Sequence, residues 1–470
     1  MTNRVGERAV RGSLWLFAVN VVSKGCQVAV TLVLAALLTE DGLGAVSLVV
    51  SLVNIGQVVQ SAGVYDVISR TNLDPGRLAG TVLTLSASGG LVLTVVLLLA
   101  AEPLAAALGA PATLIRIAAL SLPFTAIGGV QMALMHRDLD FRRRMLPDAG
   151  GMVLGAAVTI VLAALGFGPL AMAVGLLCTA VAQPVLAVVA GARVRPRWDR
   201  AAAGEALRWT AVVGPGAVVA TLLINVDYLT IGHVLGPSAV GVYSLAFRIA
   251  WMPYILVAVV LGGVMFPVCA ELVRSGRTGD VPGAVLRFTK ATLMITGGFF
   301  VVIALLADQV VLFGERWAPA APVLIALCAY GLGLGLLHTW YQVIRAAGQA
   351  RWYLALEVTH LVALLSALAV TTRHGVLAVA IAQAVIVWLL VPLTWWVLVR
   401  HGLAFPPAEL GRTVAGLLTA CASCALVARL LPDTNGIAGA LLAGLVLFGV
   451  YAAISLPLNR EAVRELRGTL

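Results

Sequence analysis

Fourteen stretches of this chain stay apolar over about 20 residues or more, the length a helix needs to cross about 30 Å of hydrocarbon. They are residues 13–38, 43–66, 79–101, 112–135, 147–166, 170–191, 209–235, 241–271, 289–312, 320–344, 352–372, 375–399, 412–431 and 436–457. A backbone surrounded by lipid must satisfy its own hydrogen bonds, so each stretch is expected to be helical. The chain therefore reads as an all-α, polytopic membrane protein of about 14 transmembrane helices. With 61% hydrophobic and 11% charged residues in 470, no soluble fold could bury its apolar surface. Arg4, Arg8 and Arg11 ahead of the first run resemble a signal peptide, but a run of about 26 residues is too long for an h-region and reads as an uncleaved span.

The basic residues fix an orientation. Of the 31 Lys and Arg, only Arg316 and Arg373 fall in turns on one side, and only Lys24, Arg116, Arg248 and Arg429 within spans. The rest lie on the other side, which the positive-inside rule makes cytoplasmic, with both termini there. This distribution accounts for the net charge of +10 without nucleic acid. The six cysteines sit in apolar segments, so neither a disulfide framework nor a metal site is expected.

A tandem repeat organises the chain. Leu38 to Leu48 matches Leu235 to Leu245 at an offset of 197. Ala110-Pro111-Ala112 with Arg137 matches Ala318-Pro319-Ala320 with Arg345 at 208, and Gly168 to Val174 matches Gly375 to Ile381 at 207. Each copy holds six spans, an even number, so the copies enter the membrane in the same direction and the repeats are parallel. The expected domains are an N-terminal six-helix lobe (1–195), a cytoplasmic linker (196–208), a C-terminal six-helix lobe (209–400), and two additional helices with a tail (401–470). The hairpin from Thr221 to Tyr254 reads as two helices joined by a turn from Gly236 to Gly241. Neither Lys24 nor Lys290, the only lysines, stands in a phosphate-binding loop. With short loops and no HExxH, GxSxG or paired external carboxylates, catalytic residues, metal and cofactor are all expected to be absent.

Charges within spans cost about 2.5–3.5 kcal/mol each at the bilayer centre on insertion scales, so they are expected to face protein or a watery compartment. Lys24 belongs to a polar stripe with Asn20, Ser23, Gln27 and Thr31, and the second span carries Ser47, Ser51, Asn54 and Ser61 with Gln57 and Gln60 nearby. Two neighbouring polar faces imply a hydrated cavity; hydrogen bonding between helices is the competing explanation. Asp227 and Arg248 sit at one depth on consecutive helices, which fits either a structural ion pair or a binding role. His338, Tyr341, Gln342 and Arg345 share one face of a later span, as do Tyr353, Glu357 and His360 on the next; a solvated vestibule explains both. Arg116 and Arg429 lie near the outer end, where snorkelling to headgroups is the simpler reading.

The segments AALLTEDGLGAVSLVVSL, HRDLDFRRR, GFGPLA, NVDYLTIGHVLGPSAVGVYSLAFRIAWMPY, VMFPV and GERWAPAAPVL are similar to the polysaccharide transporter family of oligosaccharide flippases. That family lies in the superfamily that includes multidrug and toxin extrusion transporters and lipid II flippases. The resemblance covers the first twelve spans. It implies two six-helix lobes forming a V, and transport of undecaprenyl-diphosphate-linked oligosaccharide from the cytoplasmic to the external leaflet of a bacterial inner membrane by alternating access. Lys24 and Arg248, with Arg116 behind them, are then the candidates for the diphosphate. Asn20, Gln27, Asn54 and Gln57 are candidates for sugar hydroxyls, and Asp227 for ion coupling. The substrate and membrane lipid are the expected partners, alongside a polysaccharide polymerase and glycosyltransferases. A multidrug/cation antiporter of the same superfamily is the alternative; it calls for a carboxylate-rich cavity, whereas here one deep Asp stands against Lys24 and Arg248.

Overall fold

A computed structural model describes residues 25–27, 29–61, 67–68, 75–138, 140–431 and 436–460. Among them every regular element is helical, and thirteen helices are long and apolar enough to cross a membrane. These coincide with the second to fourteenth predicted spans. Half of the first predicted span lies outside the described residues, its described end being an apolar helix, Gly25–Leu37. The chain forms two compact units, Met1–Ser244 and Leu245–Leu470.

In the first unit, carboxylates start two of the long helices. Asp140 accepts from the Arg143 N–H ahead of Phe141–Ala164, and Asp199 accepts from the N–H groups of Ala201 and Ala202 ahead of Arg200–Leu235. Each fills orphan donors that a first helical turn leaves open. The predicted six-residue turn after Leu235 contracts to one residue. Gly236, at φ 85°, ends Arg200–Leu235, and Pro237 opens Pro237–Pro253 directly. A left-handed Gly followed by a Pro whose φ already suits a helix accomplishes the reversal. Gly241 is thereby released from the turn into the second helix.

Small residues let helices meet at backbone distance, the usual means of association where lipid gives no hydrophobic drive. A Cβ on Gly155 of Phe141–Ala164 would come 2.7 Å from the Gly175 carbonyl oxygen on Leu170–Val189, and one on Gly175 would come 2.8 Å from that of Gly155. The basic segment before Arg200 lies along the start of Pro75–Leu99. Arg197 N–H donates to Gly80 O at 3.3 Å, Asp199 N–H to Thr81 Oγ1 at 3.2 Å, and Thr84 Oγ1 to Arg197 O at 3.1 Å.

The second unit contains Val259–Arg274, Val281–Leu305, Ala320–Ala346, Ala350–Thr371, Val376–Arg400, Ala408–Leu430 and Gly436–Leu458. Val281–Leu305 and Ala320–Ala346 are joined by side-chain bonds, Trp340 Nε1 donating to Thr289 Oγ1 at 3.0 Å and the Thr292 and Thr339 hydroxyls meeting at 3.0 Å. The last two helices dock on Val281–Leu305 through Tyr451. Its hydroxyl donates to Met294 O at 2.7 Å, and its ring lies against Gly298, while Leu417 fills the space over Gly297. Cys424 is buried and donates to Leu447 O at 3.4 Å, which gives this half of the CxxC pair a packing role.

Sequence matches reappear as matched helix starts. Pro111 precedes Ala112–Ala119 and Pro319 precedes Ala320–Ala346; Gly168 at φ 59° and Gly375 at φ 98° precede Leu170–Val189 and Val376–Arg400. Arg137 and Arg345 each fall in a last helical turn.

Candidate functional site

Two sets of polar side chains lie within the spans, one in each unit. The first is built on Glu40–Ser61 and Arg200–Leu235, which pack side by side. Asn54 Nδ2 donates to Asn225 Oδ1 at 3.3 Å, and Asn225 Nδ2 donates in turn to Thr221 O at 2.9 Å. Asp227, two residues on, is fully buried. Its carboxylate accepts from the Tyr243 hydroxyl at 2.6 Å and the Tyr228 N–H at 2.9 Å, with the two tyrosine rings edge to face at 5.4 Å. Through this bond Tyr243 ties the start of Pro237–Pro253 back onto the preceding helix. The tyrosine is part of the repeated block, but nothing in its spacing signals this partnership.

The other candidates fall out differently. Gln57 is half-buried and its main-chain carbonyl accepts from Ser61 Oγ at 2.5 Å. Gln27 is exposed and its carbonyl accepts from the buried Thr31 hydroxyl at 2.8 Å. Gln60 crosses to Ser121–Arg137, donating to Leu122 O at 2.9 Å and Thr125 Oγ1 at 3.1 Å. Arg116 pairs with Glu102 at 2.8 Å with both side chains substantially exposed. Asn20 and Lys24 lie outside the described residues. In the basic segment HRDLDFRRR, Arg143 pairs with Asp140 at 3.3 Å, and Arg144 pairs with Asp148, one helical turn beyond the segment, at 3.4 Å.

The second set belongs to Leu245–Leu470, and it begins with Arg248, half-buried on Pro237–Pro253. Beyond Pro253 the helix widens into a π-turn, Tyr254–Ala258, before continuing as Val259–Arg274. Such widened turns recur at functional sites because the extra residue re-aims side chains. Tyr254 Oη lies 3.1 Å from His338 Nδ1, His338 Nε2 lies 3.2 Å from Gln342 Nε2, and Arg345 Nη1 donates to Gln342 Oε1 at 3.5 Å. Gly262 makes room for this row, since a Cβ there would come 2.8 Å from His338 Nε2. The guanidinium of Arg345 lies over the rings of Tyr353 and Phe266, at 5.3 and 5.7 Å. Of the two predicted polar faces, Tyr341 and His360 are buried, and Tyr254 is the member sequence spacing did not reveal, because a π-turn breaks the 3.6-residue period.

These placements define where polar and charged groups are held within a helical membrane fold. The sequence profile described as polysaccharide biosynthesis protein matches residues 33–322. The chain is 28% identical over 338 residues to the succinoglycan biosynthesis transport protein ExoT of Rhizobium meliloti, covering 67% of each chain. It is 26% identical over 341 residues to the lipopolysaccharide biosynthesis protein WzxC of Escherichia coli, covering 69% of this chain and 67% of that one. Its fold resembles that of the lipid II flippase MurJ in an inward closed conformation, with a TM-score of 0.77 and 14% identity over 95% of this chain and 99% of the other. It also resembles an inward-facing multidrug resistance transporter of the MATE family, with a TM-score of 0.64 and 19% identity over 84% and 96%. The chain belongs to the polysaccharide biosynthesis protein family, whose profile matches more than half of its length.

Proposed function

We propose that this protein is a flippase that carries undecaprenyl-diphosphate-linked oligosaccharide from the cytoplasmic to the external leaflet of the bacterial inner membrane, by alternating access, for polysaccharide assembly. The observation that carries this reading is a convergence. The chain aligns over two thirds of its length with a transport protein of succinoglycan biosynthesis, and over 95% of its length its fold resembles that of a lipid II flippase. A diphosphate with sugars attached cannot cross hydrocarbon unaided and needs cations in a wet compartment. Lys24 and Arg248 serve the diphosphate, with Arg116 as a peripheral cation near the outer end. Asn20, Gln27, Asn54 and Gln57 serve hydroxyl groups, and Asp227 serves ion coupling. Both termini are cytoplasmic, the protein performs no covalent chemistry, and glycosyltransferases and a polymerase act before and after it.

Deleting the gene in its own host tests this. Lipid-linked oligosaccharide is expected to accumulate in the inner leaflet while drug susceptibility stays unchanged. Unchanged lipid-linked sugar with increased sensitivity to cationic drugs would support the antiporter instead.

A further inference from the structure

The row Tyr254–His338–Gln342–Arg345 has a direction. Arg345 can only donate, so Gln342 Oε1 is its acceptor and the Gln342 amide nitrogen faces His338 Nε2. His338 Nε2 must then accept, which puts the ring proton on Nδ1 and makes His338 a donor to Tyr254 Oη. Every donor points toward Tyr254, and its hydroxyl proton is the last in the chain, offered to an acceptor beyond it. Glu357, which interacts with Tyr254, Tyr353 and Arg345, supplies an acceptor in the same cluster.

Aromatic faces border these polar edges. Trp251 stacks on Phe247 at 5.0 Å and meets Tyr254 at 4.6 Å, so three rings run along one helix into the π-turn. Tyr353 meets Tyr341 edge to face at 5.6 Å and backs the Arg345 guanidinium. Trp251, Tyr254, His338, Gln342, Tyr353 and Glu357 are all half-buried and Arg345 is exposed. Polar groups so exposed within spans face water rather than lipid, where they would cost several kcal/mol.

We propose that Trp251, Tyr254, Gln342, Arg345 and Glu357 form a saccharide subsite that holds a neutral sugar ring. A pyranose has an apolar C–H face and an edge of hydroxyls that both donate and accept. This cluster has ring faces for the former and a fixed series of donors and acceptors for the latter. One Arg and one Glu give it no net formal charge. A phosphate would be drawn to Arg345 but repelled by Glu357, a cationic drug the reverse, and a lipid tail would leave both unsatisfied. The proposal rests on the flippase reading for its substrate, and it adds these residues to Asn20, Gln27, Asn54 and Gln57 as partners of the sugar.

The test uses the full-length protein in lipid nanodiscs free of sugar-headed detergent. Saturation-transfer NMR with methyl β-D-glucopyranoside and methyl β-D-galactopyranoside reads the sugar, and calorimetric titration with inorganic pyrophosphate reads the diphosphate. The wild type is expected to bind at least one glycoside. Trp251→Ala, Gln342→Ala and Glu357→Gln are expected to weaken that binding about ten-fold each, as loss of one ring face or charge-assisted bond does. Pyrophosphate binding and thermal midpoint stay within error, and Trp251→Phe recovers much of the glycoside signal. Pyrophosphate binding without glycoside binding in the wild type, or glycoside binding unaltered by all three variants, would overturn the subsite. Glycoside binding lost in the variants, with no pyrophosphate binding in any protein, would support the subsite and count against the diphosphate reading.

Discussion

Gly44 and Gly241 each abut the backbone of the other's helix start. A Cβ on Gly44 would collide with the Pro237 carbonyl and come 2.9 Å from Gly241 N, and one on Gly241 would collide with the Glu40 carbonyl and come 3.0 Å from Glu40 Cα. The four residues are two matched pairs in the repeat, since Glu40 aligns with Pro237 at the same offset that aligns Gly44 with Gly241. The contact is therefore reciprocal.

Because the obstacle on both sides is backbone, a methyl group cannot be accommodated by a rotamer change. Gly44→Ala and Gly241→Ala are each expected to cost about 1–3 kcal/mol, the usual range for overpacking, read as a lowered thermal midpoint of the purified protein. Gly89→Ala and Gly129→Ala, at helical glycines with nothing within 4 Å of an added Cβ, are expected to be neutral or slightly stabilising. Equal effects at all four positions would remove the close crossing as the cause.

The bond from Tyr243 to Asp227 gives a second expectation. Tyr243→Phe removes the donor but leaves a buried carboxylate, which costs about 1–3 kcal/mol, measured by thermal or denaturant unfolding. Asp227→Asn keeps an acceptor for Tyr243 and is expected to fold. If Asp227 couples transport to an ion, flipping by Asp227→Asn loses its dependence on the ion gradient, and retained dependence would take Asp227 out of that role.

Much of this fold was legible in the chain because lipid imposes a simple rule of length and apolarity. Thirteen of the predicted spans reappear, including the last two, which no motif supports, although the helices Arg200–Leu235 and Thr278–Leu305 begin about nine and eleven residues ahead of the predicted bounds. The anchors Pro111 and Pro319, and Gly168 and Gly375, were recognisable because helix starts need such residues whatever follows. What could not be read is the detail that depends on packing. Gly241 looked like part of a turn because glycine serves turns and close crossings alike. Tyr243 and Tyr254 were hidden because one binds a residue 16 positions away and the other sits where the helical period breaks. Asn54 met Asn225, as a polar stripe allows, yet the stripe alone does not separate such a pairing from a ligand site.

Orientation rests on the distribution of Arg and Lys and is open to a direct check. A cysteine replacing Arg143, whose side chain is 66% exposed, is expected to react with a membrane-impermeant maleimide only after the inner membrane is permeabilised. Labelling in intact spheroplasts would reverse the topology.

The sequence predicts a polar helical face for Lys24, with no carboxylate on the same span. If it meets the lipid diphosphate, Lys24→Ala abolishes flipping, Lys24→Arg retains much of it with altered geometry, and Lys24→Glu is the poorest because it repels the ligand. Protein levels should hold, since removing a charge from a span relieves an insertion cost. The readout is lipid-linked oligosaccharide retained in the inner leaflet of cells carrying each variant, and full activity in Lys24→Glu would take Lys24 out of the site.

The central claim is that this chain moves a sugar-bearing lipid diphosphate across a bilayer. Proteoliposomes containing the purified protein and a fluorescent undecaprenyl-diphosphate oligosaccharide, challenged with an impermeant quencher, measure that movement directly. The account predicts protein-dependent quenching of the inner-leaflet pool, slowed at least about ten-fold by Arg248→Gln, as loss of a charge-assisted contact requires. Quenching no faster than in protein-free liposomes, with the protein folded and the host's own lipid-linked sugar as substrate, would contradict it.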